Sequence, residues 1–244
     1  MLDALEDRLT GHSSGDPSLP GSPFPLPGLD VDVRAEGLDW PSTALTMVGR
    51  RRLRNLRQLI ERVIDEGVPG DVLEAGVWRG GASILARAVL AVHGVTDRRV
   101  WVADSFEGLP PPDPAYPADE GSDLHTFDEL AVSLEQVQDN FARFGLLDDQ
   151  VTFVKGWFRD TMPAIPVERL AVLRLDGDLY ESTIDPLRHL YDRVSPGGWV
   201  IIDDYYMLDC CQAAVHDHFA DRGGPPELQR IDHVGACFQK HLDG

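Results

Sequence analysis

From Asp71 onward the chain repeats one unit: a short apolar run, a turn rich in glycine or acids, and a segment of helix length. The runs are Val72-Leu73-Glu74, Arg99 to Ala103, Val151 to Lys155, Leu170 to Leu175 and Trp199 to Ile202. Helical patterns follow over about Gly80 to Val92, Glu129 to Phe144, Thr183 to Val194 and Cys210 to Asp221. Strands separated by helices are joined by crossovers rather than hairpins. The pattern therefore predicts an α/β protein with a doubly wound, mostly parallel sheet covered on both faces. Ser195-Pro196-Gly197-Gly198 reads as a tight turn into the fifth run, and Ile231 to Lys240 as returning edge strands.

Upstream the chain changes character. Residues 11 to 30 are dense in Gly, Pro and Ser and read as a linker or mobile arm, whereas Ser42 to Glu66 has helical periodicity with Ser42 as its N-cap. The expected division is a flexible N-terminal arm over residues 1–37 and one domain over 38–244. A chain of 244 residues with 43% apolar and 26% charged residues is of the right size for one such core. No stretch has the length of a membrane span, and Met1 to Thr10 has no signal-peptide core, so a cytoplasmic protein is expected. The net charge of −19 argues against a nucleic-acid backbone as partner. Arg50-Arg51-Arg52, Arg54 and Arg57 read as the solvated face of a helix whose other side is Leu53, Leu56, Leu59, Ile60 and Val63. Cys210, Cys211 and Cys237 match neither a disulfide framework nor a CxxC metal site and are expected as buried free thiols.

Two of the apolar runs end in paired acids: Leu175 leads to Asp176-Gly177-Asp178, and Ile202 to Asp203-Asp204. Ligands of open parallel sheets bind outside the carboxyl ends of the strands, so these carboxylates face one crevice. Crowded carboxylates repel unless a cation lies between them, and oxygen donors of this kind suit a hard cation such as Mg²⁺. At the end of the first run, Glu74-Ala75-Gly76-Val77-Trp78-Arg79-Gly80-Gly81-Ala82-Ser83 is a glycine turn opening a helix, where backbone N–H groups can meet a ligand. It is neither GxGxxG nor a P-loop. Asp104 closes the second run, the position of a ribose-binding acid, with a turn cap as the alternative. A ribose together with a cationic sulfonium, as in S-adenosylmethionine, suits Glu74 better than a pyrophosphate does. Gly156-Trp157-Phe158 closes the third run and reads either as an adenine wall or as core packing.

Seven ordered segments add a resemblance: Trp40-Pro41-Ser42 with Leu45-Thr46-Met47-Val48-Gly49, Glu74 to Gly81, Asp104-Ser105-Phe106-Glu107-Gly108-Leu109-Pro110, Gly156-Trp157-Phe158, Asp160-Thr161-Met162-Pro163, Leu175 to Thr183, and Asp203-Asp204-Tyr205. Over about residues 38 to 240 the chain resembles the macrocin O-methyltransferase family, with its mycinamicin and novobiocin-pathway relatives. The resemblance implies a Rossmann-like class I methyltransferase fold with an N-terminal helical extension. It also implies Mg²⁺-dependent methyl transfer from S-adenosylmethionine to a sugar hydroxyl of an antibiotic or its nucleotide-sugar precursor, by a homo-oligomer. Carried over by motif, Asp176, Asp203 and Asp204 are the metal ligands and Asp176 is also the general base. Glu74, Gly76, Arg79, Gly80, Ser83, Asp104, Ser105, Gly156 and Trp157 form the cofactor site, with Thr46 and Met47 closing over it.

The chemistry agrees with that assignment. A sugar hydroxyl becomes a usable nucleophile when a metal lowers its pKa and a carboxylate takes its proton. A metal-bound Asp176 is a weakened base, which leaves His125 as the second candidate. Asp178, two residues along a turning chain, is read as pointing away or capping a helix. The Pro-rich loop from Pro110 to Leu124 is the expected acceptor lid, with Leu124, His125 and Gln239 as candidate acceptor contacts. The rival readings are a catechol or other vicinal-diol acceptor, and a non-catalytic binding module that has no use for a repulsive acid cluster.

Overall fold

The computed structural model describes residues 1–11 and 33–241. The reading of residues 11 to 30 as a linker falls almost entirely outside them. In chain order the elements are α1 (Leu2–Thr10), α2 (Val33–Glu36), α3 (Arg50–Asp65), β1 (Asp71–Ala75), α4 (Gly81–Val92), β2 (Val100–Asp104), α5 (Leu134–Arg143), β3 (Val151–Lys155), α6 (Phe158–Thr161), β4 (Leu170–Leu175), α7 (Tyr180–Leu190), β5 (Val194–Ile202), α8 (Asp209–Phe219), β6 (Gln229–Arg230) and β7 (Ala236–Gln239). The strands form one seven-stranded sheet in the order β3-β2-β1-β4-β5-β7-β6. The first five pair in parallel, and β7 runs antiparallel to both β5 and β6. The expected α/β class and doubly wound, mostly parallel sheet are what the chain adopts.

Side-chain alternation along each strand divides the core in two. Val72, Val102, Val172, Trp199 and Ile201 face α3 and α4 and pack with Leu53, Leu56, Ile60, Ile84, Leu85 and Val89. Leu73, Ala75, Ala103, Leu173, Val200 and Ile202 face the other way, onto Leu187 and Leu190 of α7 and Val215 and Phe219 of α8. After β1 the chain winds outward through β2 to β3, then returns to place β4 on the other side of β1. The crevice that opens at such a reversal lies beyond the carboxyl ends of β1 and β4.

Several boundaries differ from expectation for local reasons. The helix expected over residues 42–66 begins at Arg50, with Gly49 rather than Ser42 before it. Residues 41–49 instead cross the molecule, with Leu45 N–H bonding Leu9 O of α1 and Gly81 N–H of α4 bonding Leu45 O, both at 2.9 Å. Helix α5 starts at Leu134 because the Ser133 hydroxyl accepts from Gln136 N–H and fixes the N-cap there. Ser195 to Gly198 lie within β5 rather than ahead of it. Leu2 and Leu9 of α1 are buried in the α3–α4 side of the core, so the start of the expected arm is docked. Among the described residues no helix is long and apolar enough to cross a membrane.

Candidate active site

Strand register gathers the charges. Glu74 pairs with Arg174 across β1 and β4, and Arg174 with Ile201 across β4 and β5. Counting two residues on, Asp176 and Asp203 therefore continue the same sheet face, the one toward α3 and α4. On that face the apolar layer gives way, at the carboxyl edge, to a buried ionic network. Arg174, only 1% exposed, donates to Glu74, to Asp176 (2.7 Å) and to Asp203. Arg52 reaches in from α3 to Asp203, to Asp232 at 3.1 Å and to Gly37 O at 3.0 Å. Asp232 is held in turn by Val234 N–H and Gly235 N–H. The basic run at the start of α3 is thus not a wholly solvated face: Arg52 turns inward because its helix places it over the acids.

Asp176, Asp203 and Asp204 each offer a carboxylate oxygen within 4.8 Å of the others. Their titration separates them. Burial raises Asp176 to about 6 against the pull of Arg174. Burial, then the charges of Asp178, Asp176 and Asp203, lift Asp204 far above the carboxylate range. Burial opposes ionisation of Asp203 too, but Arg174 and Arg52 together outweigh it and hold Asp203 below the usual range. Oδ2 of Asp204 is buried with no hydrogen-bond partner among the described residues. Three converging carboxylates, one of them orphaned, form an all-oxygen donor set that fits a hard divalent cation.

The same cavity runs toward β1 and β2. Its walls include Thr46, Met47, Glu74, Gly76, Asp104, Ser105, Gly156 and Trp157, together with Asp176, Asp178, Asp203 and Asp204. Gly76, at φ +88°, lies so close to the Asp176 carbonyl that any Cβ there would collide with it. Glu74 takes the Ser83 hydroxyl and the Arg174 guanidinium, while burial carries its carboxyl up to about 7. Asp104 accepts from Val77 N–H at 2.7 Å and Phe106 N–H at 2.8 Å, so it is both a turn cap and a cavity wall. The Ser105 hydroxyl donates to Gly108 O at 2.6 Å and fixes the loop after β2. A methionine-derived nucleoside fits such a wall: carboxylates for an ammonium and a ribose, and a glycine where the chain must come close.

Other expected site residues lie elsewhere. Arg79 stacks on Trp78 at 4.0 Å and donates to the carbonyls of Pro41, Ser42 and Ala44, so it fixes the covering segment rather than lining the cavity. Gly80 leaves room for Val137 of α5, and Ser83 acts on Glu74 from behind. Leu124 and His125 lie on a 3₁₀ turn outside the cavity lining, with His125 exposed. Gln239 pairs with Trp199 within β5, donates to Gly197 O at 2.9 Å and lies outside the cavity lining. Asp178 reverses its reading: it lines the cavity, and α7 carries no cap from its own N-cap residue, Leu179. Asp119 supplies that cap, accepting from Tyr180 N–H at 2.7 Å and Glu181 N–H at 2.9 Å. The Pro-rich loop is thereby tied to α7. Arg174, Asp119 and Asp232 were not singled out in the sequence, and Arg52 was read there only as part of a solvated face, although Arg174 is conspicuous as a charge inside an apolar run.

Comparison with known proteins follows the same outline. A family model described as Macrocin-O-methyltransferase (TylF) matches residues 26–240. The 8-demethyl-8-(2,3-dimethoxy-α-L-rhamnosyl)-tetracenomycin-C 4′-O-methyltransferase of Streptomyces olivaceus is 54% identical over 222 residues, covering 87% of this chain and 81% of the relative. The demethyldecarbamoylnovobiocin O-methyltransferase of Streptomyces niveus is 52% identical over 211 residues, covering 86% and 80%. The solved structure of the O-methyltransferase NovP superposes with a TM-score of 0.91 at 47% identity, covering 98% of both chains.

Proposed function

The chain belongs to the macrocin O-methyltransferase family, and from that premise we propose that it moves a methyl group from S-adenosylmethionine to a sugar hydroxyl, with Mg²⁺ as its metal. The acceptor in this reading is a glycosylated natural product of antibiotic biosynthesis or its nucleotide-sugar precursor. The observation that carries it is the convergence of Asp176, Asp203 and Asp204 within 4.8 Å, in the cavity that Glu74, Gly76 and Asp104 also line. S-adenosylmethionine supplies a methyl group on a cationic sulfur, and Mg²⁺ makes a coordinated oxygen more acidic.

The chain's own residues then have distinct parts. Asp203, kept ionised by Arg174 and Arg52, would supply a permanently anionic ligand, and Asp204, whose Oδ2 is orphaned, would supply a second once a cation offsets the neighbouring acids that hold its carboxyl protonated. Asp176 is the third ligand and the group that receives the hydroxyl proton. His125, exposed and away from the lining, is not retained as the base. Glu74 and Asp104 hold the two ends of the cofactor. Thr46 and Met47 exclude water above it, on a segment anchored by Arg34 to Met47 O at 2.6 Å. The net charge of −19 favours a small-molecule partner over nucleic acid. A cytoplasmic homo-oligomer completes the proposal.

The test incubates the enzyme and Mg²⁺ with S-adenosylmethionine and three acceptors: the rhamnosyl-tetracenomycin and the demethyldecarbamoylnovobiocin of the relatives, and a nucleotide-bound rhamnose. Tandem mass spectrometry then locates the methyl group. A methyl on the sugar fragment is expected. Methylation of the aglycone, or of none of the three, contradicts the reading.

A further inference from the structure

Resting on the cofactor use proposed above, we propose that Arg52 is a positioning residue for cofactor binding, which staples the base of a covering loop, residues 37–49, to the acid edge of the sheet. The loop closes on itself. A Cβ on Gly37 would collide with the backbone of Gly49, and one on Gly49 with the carbonyl of Glu36, so the two ends pass in a contact that only glycine allows. Gly37 also lies in the left-handed region, at φ +68°. A compact loop whose ends touch is a form often given to binding segments. Between those ends, Asp39, Trp40, Thr46, Met47 and Val48 line the cavity.

The body of the loop is held by its backbone. Arg34 donates to Met47 O at 2.6 Å, Arg79 to the carbonyls of Pro41, Ser42 and Ala44, and Gly81 N–H to Leu45 O at 2.9 Å. Arg52 holds the base. Its helix begins at Arg50, so the guanidinium projects from the first turn beyond Gly49. There each nitrogen serves a different element. Nη2 donates to Gly37 O at 3.0 Å, Nη1 to Asp203 at the end of β5, and Nε to Asp232, between β6 and β7, at 3.1 Å. Gly235 makes room for the stem, since a Cβ there would press on Arg52 Cδ at 3.1 Å. The two acids keep other donors: Asp203 has Arg174, and Asp232 has Val234 N–H and Gly235 N–H. Charge compensation is therefore shared, and what the planar fork of Arg52 adds is the link from the acids to the loop. A loop already closed spares the cofactor the cost of ordering it, so the tie contributes to affinity without touching the cofactor.

The experiment follows the full-length enzyme by amide hydrogen exchange with mass spectrometry, and by calorimetric titration with S-adenosylhomocysteine and, separately, Mg²⁺. It compares wild type with Arg52→Lys and Gly37→Ala. Lysine keeps a positive charge beside the acids but has no fork, and alanine forces the base apart without altering the acids. In both variants, peptides within residues 33–49 of the unliganded enzyme are expected to exchange about tenfold faster or more, while β4 and β5 exchange as in wild type. Affinity for S-adenosylhomocysteine falls about ten- to a hundredfold, the range for one lost hydrogen bond to a charged group, and Mg²⁺ affinity is retained. Gly37→Ala decides alone if the lysine variant does not fold. Unchanged exchange over residues 33–49 overturns the proposal, as does faster exchange there with unaltered S-adenosylhomocysteine affinity. Exchange that rises equally in β4 and β5 overturns it by making Arg52 a core residue only. A fall in Mg²⁺ affinity in step with that for S-adenosylhomocysteine overturns it by placing the effect on the metal acids. A wild type that binds no S-adenosylhomocysteine brings down the cofactor reading itself, a separate outcome.

Discussion

Arg174 is the residue on which the acid edge depends. It is buried between Glu74, Asp176 and Asp203, and removing it leaves Glu74 and Asp176 without their compensating charge and Asp203 with Arg52 alone. Breaking a buried pair on one side costs about 3–5 kcal/mol, so Arg174→Met is expected to lose that much in urea unfolding; a loss below about 1 kcal/mol would show that the network contributes little. The residue itself was legible, because a charge within Leu170 to Leu175 has no place in a doubly covered strand without a partner. The partner was not legible, since Glu74 lies 100 residues earlier and only the β1–β4 register joins them. Arg52 was hidden for the opposite reason, as one cation among several at the start of α3. A second residue-scale prediction concerns Gly76. A Cβ there meets the Asp176 carbonyl at φ +88°, so Gly76→Ala is expected to abolish S-adenosylhomocysteine binding by calorimetry, and retained affinity would refute the close approach.

At the scale of elements, the strand ends were readable because each apolar run stops at an acid or glycine, and acids recur where the sheet needs them. Connections were less readable. Helical periodicity continued through residues 42–49, yet Leu45 bonds to both Leu9 and Gly81, and this long-range tie outweighs local propensity. The Pro-rich loop was expected as a lid, while its fastening by Asp119 to α7 depends on two N–H groups some sixty positions away. Asp119 is 3% exposed, and both of its oxygens are used. Asp119→Ala is therefore expected to cost about 1–2 kcal/mol in unfolding, as other lost N-caps do, and to speed proteolytic cleavage between residues 110 and 124. Unaltered cleavage would mean that the loop is held by something else.

Across the whole molecule, the parallel core and its winding followed from strand–helix alternation, whereas β7 entering between β5 and β6 could not be read from runs of residues, because edge order depends on tertiary pairing. One global property is tied to a single histidine on α8. Burial, then the charge of Arg222, push His218 from 6.5 down to about 4, and its Nε2 has no partner among the described residues. The unfolded chain therefore takes up this proton at a higher pH than the folded one. The contribution to stability is complete above about 6.5 and declines as the pH falls toward 4. His218→Phe is expected to flatten the stability profile in that window, and a profile identical to wild type would assign the acid sensitivity to other groups. The central claim is that the acid edge binds a hard cation required for methyl transfer. Its most direct test is calorimetric titration of Mg²⁺ into chelator-treated enzyme loaded with S-adenosylhomocysteine, with Asp176→Asn and Asp204→Asn alongside. The account predicts one site per chain, lost in both variants, and activity restored only with Mg²⁺. No binding in the wild type, together with full activity in chelator, would contradict it.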